Sequence, residues 1–289
     1  MRIIKPHNNT NGTVAERRET GAKKPTTIAQ WPGRDLLADP ITASVLLAAW
    51  SGDQVICVPS PPGAGKTWLT VQIAAALSHR AGLRVGIAAQ TRAQALDIAR
   101  RLGALCEPAR IGLLWRSGPR PDSGECPLVA GGVCWPRSGG AVRVGTTAKW
   151  LRTDATEGSA DILIVDEAYQ CTYADLGALG SMTSQVVCVG DPGQIDPVVT
   201  GDTSRWAGSP TGPHLPAPTA LMAAHPDVVT TVALTHTWRL GQDTTALVSG
   251  AFYPELPFTS RRPPEHITHH RRKLPELMHR VVAVADGPN

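Results

Sequence analysis

Val55-Ile-Cys-Val-Pro-Ser-Pro-Pro-Gly-Ala-Gly-Lys-Thr67 is the stretch whose reading decides the fold. Its apolar start, Val55 to Val58, has the composition of a buried strand, and Gly63 to Thr67 supply a Gly-x-Gly-Lys-Thr ending. Glycines let backbone N–H groups curl around a phosphate, and a helix opening at about Lys66 adds the N–H groups of its first turn. Lys66 can neutralise β/γ-phosphate charge, and the Thr67 hydroxyl can ligate Mg²⁺. Gly63, Ala64, Gly65, Lys66 and Thr67 are therefore the expected nucleotide-binding residues, with a nucleoside triphosphate and Mg²⁺ as the implied ligands. Ser60 stands at the first loop position, where the pattern has Gly or Ala, and is small enough to be tolerated. A Gly/Pro loop of chance composition is the alternative; the strand before it and the helical run Trp68–Arg80 after it argue against that.

The periodicity around this stretch predicts an α/β chain. Apolar residues from Leu36 to Ala49 recur at helical spacing, with Pro40 suited to a first turn. After the loop come a helix closed by Ala81-Gly82, a strand over 84–90, and a second helix capped by Thr91. Strand, helix, strand, helix with short joints implies a parallel sheet with crossover helices on both faces. Residues 107–141 are rich in Gly, Pro, Arg and Trp and read as a surface insertion. Strands resume at 142–147, 162–165 and 185–189, and one more is expected over 228–234. Residues 1–30 read as a flexible basic arm, 31–235 as the phosphate-loop domain with the 107–141 insertion, and 236–289 as the stub of a second domain with a basic tail.

Two strand ends carry polar groups. Ile162 to Val165 runs into Asp166-Glu167, which places carboxylates at the C-terminal edge of a parallel sheet, where its ligand binds. Asp166 would hold Mg²⁺ through water, and Glu167 would orient or deprotonate an attacking water. The alternative is an Asp-Glu pair that merely caps the next helix. Gln185 to Val189 leads to Gly190-Asp191-Pro192-Gly193-Gln194-Ile195-Asp196-Pro197, where the Gln194 amide can sense a γ-phosphate by exchanging hydrogen bonds.

Taken in order, these motifs resemble those of superfamily 1 helicases, nearest the Upf/Dna2-like branch. Pro61 to Thr67 is similar to that family's phosphate loop, Asp166-Glu167-Ala168-Tyr169-Gln170 to its Asp-Glu-Ala-x-Gln box, and Gly190 to Pro197 to its coupling motif. Ala88 to Ala95 and Val144-Gly145-Thr146-Thr147 resemble segments that touch the nucleic-acid backbone. Leu234 to Arg239 resembles the start of the second motor domain. The resemblance implies a RecA-like P-loop fold, hydrolysis of ATP with Mg²⁺, and catalytic roles for Lys66, Glu167, Gln194 and Arg239. It also implies adenine stacking on Trp238, and strand contacts at Gln90, Thr91, Thr146 and Thr147. The implied partner is single-stranded nucleic acid, DNA ahead of RNA; the second motor domain of the pattern is lost, truncated or supplied by a further protein. An ATP-gated binding or regulatory module without unwinding activity is the alternative.

The chain departs from that pattern in two respects. Neither Gln54 nor Gln30 stands where an adenine-reading glutamine would, which leaves base specificity open. About 50 residues follow Arg239, fewer than a full α/β domain needs, so the chain alone is expected to unwind poorly. They include a basic cluster around Arg261, Arg262 and Arg271 to Lys273. A net charge of +4 permits nucleic acid without demanding it. No apolar run is long enough for a membrane span, and the polar first residues are unlike a signal, so a cytoplasmic place without membrane contact is expected. Cys126 and Cys134 are spaced too widely for a zinc knuckle.

Overall fold

The computed structural model describes residue 36, residues 38–264, and the backbone of 267–269 and 272–274. The arm over 1–30, Arg271 of the basic cluster and residues 275–289 lie outside the described residues.

Helix α1 (Pro40–Ser51) begins where the Asp39 carboxylate accepts from the Thr42 backbone N at 3.1 Å and ends at Gly52, φ 89°. Strand β1 (Val55–Pro59) leads through the glycine loop into α2 (Lys66–Ala81). Strand β2 (Arg84–Ala89) follows, and then α3 (Arg92–Gly103), opened by a Thr91–Gln94 capping box. The chain continues through β3 (Ile111–Leu114), β4 (Leu128–Val129), β5 (Ala141–Thr146), α4 (Thr147–Trp150), α5 (Ala155–Gly158) and β6 (Ala160–Asp166). It completes the sheet with α6 (Tyr173–Gly180), β7 (Thr183–Gly190), α7 (Ala217–Ala224) and β8 (Val229–Thr231).

The strands form one eight-stranded sheet in the order β4-β3-β5-β2-β6-β7-β1-β8. Every pairing in it is parallel. All C-terminal strand ends therefore share one edge, and β7 sits between β1 and β6. Because side chains alternate along a strand, the sheet has two cores. Ile162 and Ile164 pack with Ile56, Val58, Ile87 and the helices α1, α2 and α3. Leu163 and Val165 pack on the other face with Cys57, Cys188, Trp150 and the α6 residues Leu176 and Leu179. No described helix is long and apolar enough to cross a membrane.

Two sequence expectations are corrected. Residues 107–141 are not only surface: Ile111 to Leu114 are buried, and β3 lies between β4 and β5 inside the sheet. The apolar run there is only four residues long, so the Gly/Pro-rich flanks masked it. Strand β8 stops at Thr231 rather than Leu234, although Val232 N and Leu234 N still donate to Cys57 O and Pro59 O at 2.9 Å each.

Arg143 explains how the rest of that segment is held down. Its guanidinium is buried and donates to the carbonyls of Val133 at 2.9 Å, Cys134 at 2.7 Å and Val142 at 3.1 Å. Arg143→Met keeps the stem but leaves those carbonyls without their donor. It is expected to lower stability by about 3 kcal/mol, read as a lower urea midpoint with an unchanged slope.

Candidate nucleotide-binding site

The phosphate loop is shaped by conformations that only small residues tolerate. Gly63 has φ 74° and Gly65 φ 94°. Ser60 is fully buried, its N–H donating to Gly190 O at 2.8 Å and its hydroxyl to Val58 O at 2.9 Å, so a small side chain is required there. A Cβ on Gly63 would collide with Arg239 Cβ, because the segment 236–239 lies across the loop. There Thr237 Oγ1 donates to Pro62 O at 2.7 Å and Trp238 N to Gly63 O at 2.9 Å.

The sheet order brings the charges together. Lys66, after β1, places its Nζ 3.8 Å from Glu167 Oε1, after β6, and 3.8 Å from Asp191 Oδ2, after β7. Glu167 takes the left-handed conformation, φ 53°, which a non-glycine residue adopts at some cost in energy, and this turns its carboxylate back toward the lysine. Its Oε2 is buried with no protein partner. Asp166 lies deeper and accepts from Thr70 Oγ1 at 3.3 Å. Burial, with the neighbouring Glu167 charge, pushes its carboxyl up to about 7, against the pull of Lys66.

A divalent cation would reverse that upward push. The donors fit Mg²⁺: one hydroxyl at Thr67 and one carboxylate at Asp166 leave positions for phosphate oxygens and water. Among the described residues no three His, Cys, Asp or Glu side chains gather as a cation cage. Mg²⁺ bound mostly by substrate needs none.

Gly63, Ala64, Gly65, Lys66, Thr67, Glu167, Gln194, Trp238 and Arg239 line one cavity of about 430 Å³. A more apolar cavity of about 460 Å³ adjoins it, bounded by Trp68, Leu69, Leu234, His236 and the exposed Trp238. The Trp238 ring meets His236 edge-on at 5.7 Å.

The four expected strand-contact residues sit at the C-terminal ends of neighbouring β2 and β5. Gln90 Nε2 reaches Asp166 O at 3.5 Å, a long contact that ties this edge to the carboxylate strand. Thr91 and Thr146 use their hydroxyls as helix caps. Thr147 departs from expectation: it is buried, and its hydroxyl donates to Ala89 O at 3.4 Å, turned into the fold by the start of α4.

Sequence reasoning missed two residues of the site. Asp191 had a usable signal, since it directly follows β7 as Glu167 follows β6. Tyr253 had none. It follows α8 (Gln242–Phe252), is buried against Phe258, and donates to Asp191 Oδ1 at 2.9 Å. Gly193 N donates to the same oxygen at 2.9 Å. Gln194 in turn accepts from Gln170 Nε2 at 3.0 Å. Tyr253→Phe is expected to cost about 1.5–3 kcal/mol, the range for a hydrogen bond to a charged group. A melting temperature within a degree of wild type would show that the bond contributes nothing.

A glycine loop between a strand and a helix, with carboxylates on neighbouring strands of a parallel sheet, defines a RecA-like P-loop nucleoside triphosphatase fold. The chain belongs to the AAA domain family, whose model matches residues 42–214, more than half of its length. No curated protein matches it. Among solved structures it is similar to a PRRSV helicase, at 21% identity and TM-score 0.43 over 81% of this chain and 40% of that one. An arterivirus nonstructural protein 10 helicase with DNA matches at 18% identity and TM-score 0.46, over 78% of this chain and 45% of that one. The Pif1 of a Bacteroides species, in complex with ADP-AlF4, matches at 16% identity and TM-score 0.41, over 73% and 44% of the two chains. The chain thus spans less than half the length of these structures, and likeness at this level carries no argument about activity.

Proposed function

We propose that the chain is the ATP-binding and ATP-hydrolysing first motor domain of a superfamily 1 type helicase of the Upf/Dna2-like branch. In this reading it works in the cytoplasm on single-stranded nucleic acid, DNA ahead of RNA, with a second motor domain completing the translocating unit. One observation carries the reading: Lys66 Nζ stands 3.8 Å from both Glu167 and Asp191, the residues that directly follow β6 and β7. A γ-phosphate beside Lys66 is then within reach of both strand ends.

In hydrolysis, the loop N–H groups and Lys66 hold the β- and γ-phosphates, and Glu167 accepts the proton of the attacking water. Thr67 and Asp166 would hold Mg²⁺, which neutralises phosphate charge when bound. Trp238 offers its indole to the adenine, and Arg239 supports charge on the γ-phosphate. Gln194, bonded to Gln170 beside the carboxylates, reports the phosphate state to the edge where Gln90, Thr91 and Thr146 meet the strand.

The test is ATP hydrolysis by the purified chain with and without single-stranded DNA or RNA. A rise of several-fold on adding a strand is expected. Tight ATP binding with no turnover under either condition would sink the motor reading and leave an ATP-gated binding module in its place.

A further inference from the structure

The cleft between α3, α4 and the end of β3 is outside the nucleotide site and has its own chemistry. Arg92, Trp115, Arg116, Thr146, Lys149 and Arg152 line it, around a volume of about 210 Å³, room for one planar ring system. Among the described residues, none of its four cations forms an ion pair with a carboxylate. Like charges gathered at one concave place repel one another, and a polyanion relieves that repulsion. The aromatic wall is half-buried Trp115, whose ring Arg92 covers with its guanidinium carbon 5.1 Å from the centroid. The indole Nε1 is buried with no acceptor, so what the residue offers the cleft is its ring.

Arg92 is exposed at the first position of α3 and can swing from the ring to a phosphate, yielding the ring face to a base. Thr146 belongs both to this cleft and to the edge already assigned to the strand, so the two are continuous. We propose that the cleft is a single-nucleotide pocket. In it one base of a single strand stacks on Trp115 while the neighbouring phosphates meet Arg92, Arg116, Lys149 and Arg152. The pocket rests on the reading of the chain as a strand-binding motor, and names the residues that grip the strand at its far side. Part of the 107–141 segment thereby gains a role, since β3 carries Trp115 and Arg116 to the sheet edge.

The test measures binding of labelled oligothymidine of about 20 nucleotides, and of an abasic strand of equal length, by fluorescence anisotropy. Trp115→Ala should weaken binding of the base-bearing strand about 5- to 100-fold and leave the abasic strand nearly unchanged. A misfolded variant would lose both, so the comparison separates stacking from structure. Arg116→Ala with Arg152→Ala, both at exposed positions, should weaken the two strands alike and flatten the salt dependence by about two phosphate contacts. Equal behaviour of Trp115→Ala and wild type on the base-bearing strand overturns the pocket while the motor reading stands. So does an acidic peptide that binds as tightly as the oligonucleotide. Absence of any strand binding by wild type overturns both.

Discussion

With Glu167 replaced by Gln, ATP turnover is expected to fall by about 100- to 10,000-fold, while ATP still binds. The amide keeps the size and the reach of the side chain but cannot accept the proton of the attacking water. Lys66 would lose one of its two carboxylates and keep Asp191, so the phosphate loop retains its cation in place. Glu167 is also the negative neighbour that helps push Asp166 up to about 7. Removing it lets Asp166 ionise more readily, so affinity for Mg²⁺ with nucleotide should hold or rise. Phosphate release and calorimetric ATP titration on the same protein check the two halves. Turnover within tenfold of wild type would remove Glu167 from the role of base.

Trp150→Ala is expected to be the most damaging of these changes for stability, by about 3–5 kcal/mol. Trp150 is fully buried on the face of the sheet opposite α2, and its indole N–H donates to Ile87 O at 2.8 Å. Two strand glycines make the slot for it. A Cβ on Gly86 would stand 2.8 Å from Leu163 Cδ1 and 3.2 Å from the Trp150 ring, and one on Gly145 would stand 3.2 Å from Trp150 Nε1. Since β2, β5 and β6 are rigid neighbours, little can collapse into the void that alanine leaves. A fall in melting temperature of about 5–15 °C should follow. The residue lines neither nucleotide cavity, so ATP affinity of the folded protein should be unchanged. A change under 1 kcal/mol would mean that the slot refills.

The phosphate loop, the caps and the strand cores were legible in the sequence because each is encoded within a few neighbouring residues. Gly63 and Gly65 satisfy positive φ locally, Thr91 caps α3 within its first turn, and the apolar run Ile162 to Val165 reads as a strand covered on both faces. Those local signals sufficed to set a parallel α/β chain with its nucleotide loop after β1. What they left open depends on strand order and on distant partners. Only β7 lying between β1 and β6 brings Asp191 to Lys66. Only the return of the chain after β8 lays Thr237 on Pro62 and Tyr253 on Asp191. The Thr147 hydroxyl, legible by motif as a strand contact, is turned inward to Ala89 because the first turn of α4 packs on β2. Sequence thus determined the chemistry available at each strand end. The tertiary structure decided which ends meet, because a sheet places side by side residues that no local periodicity relates.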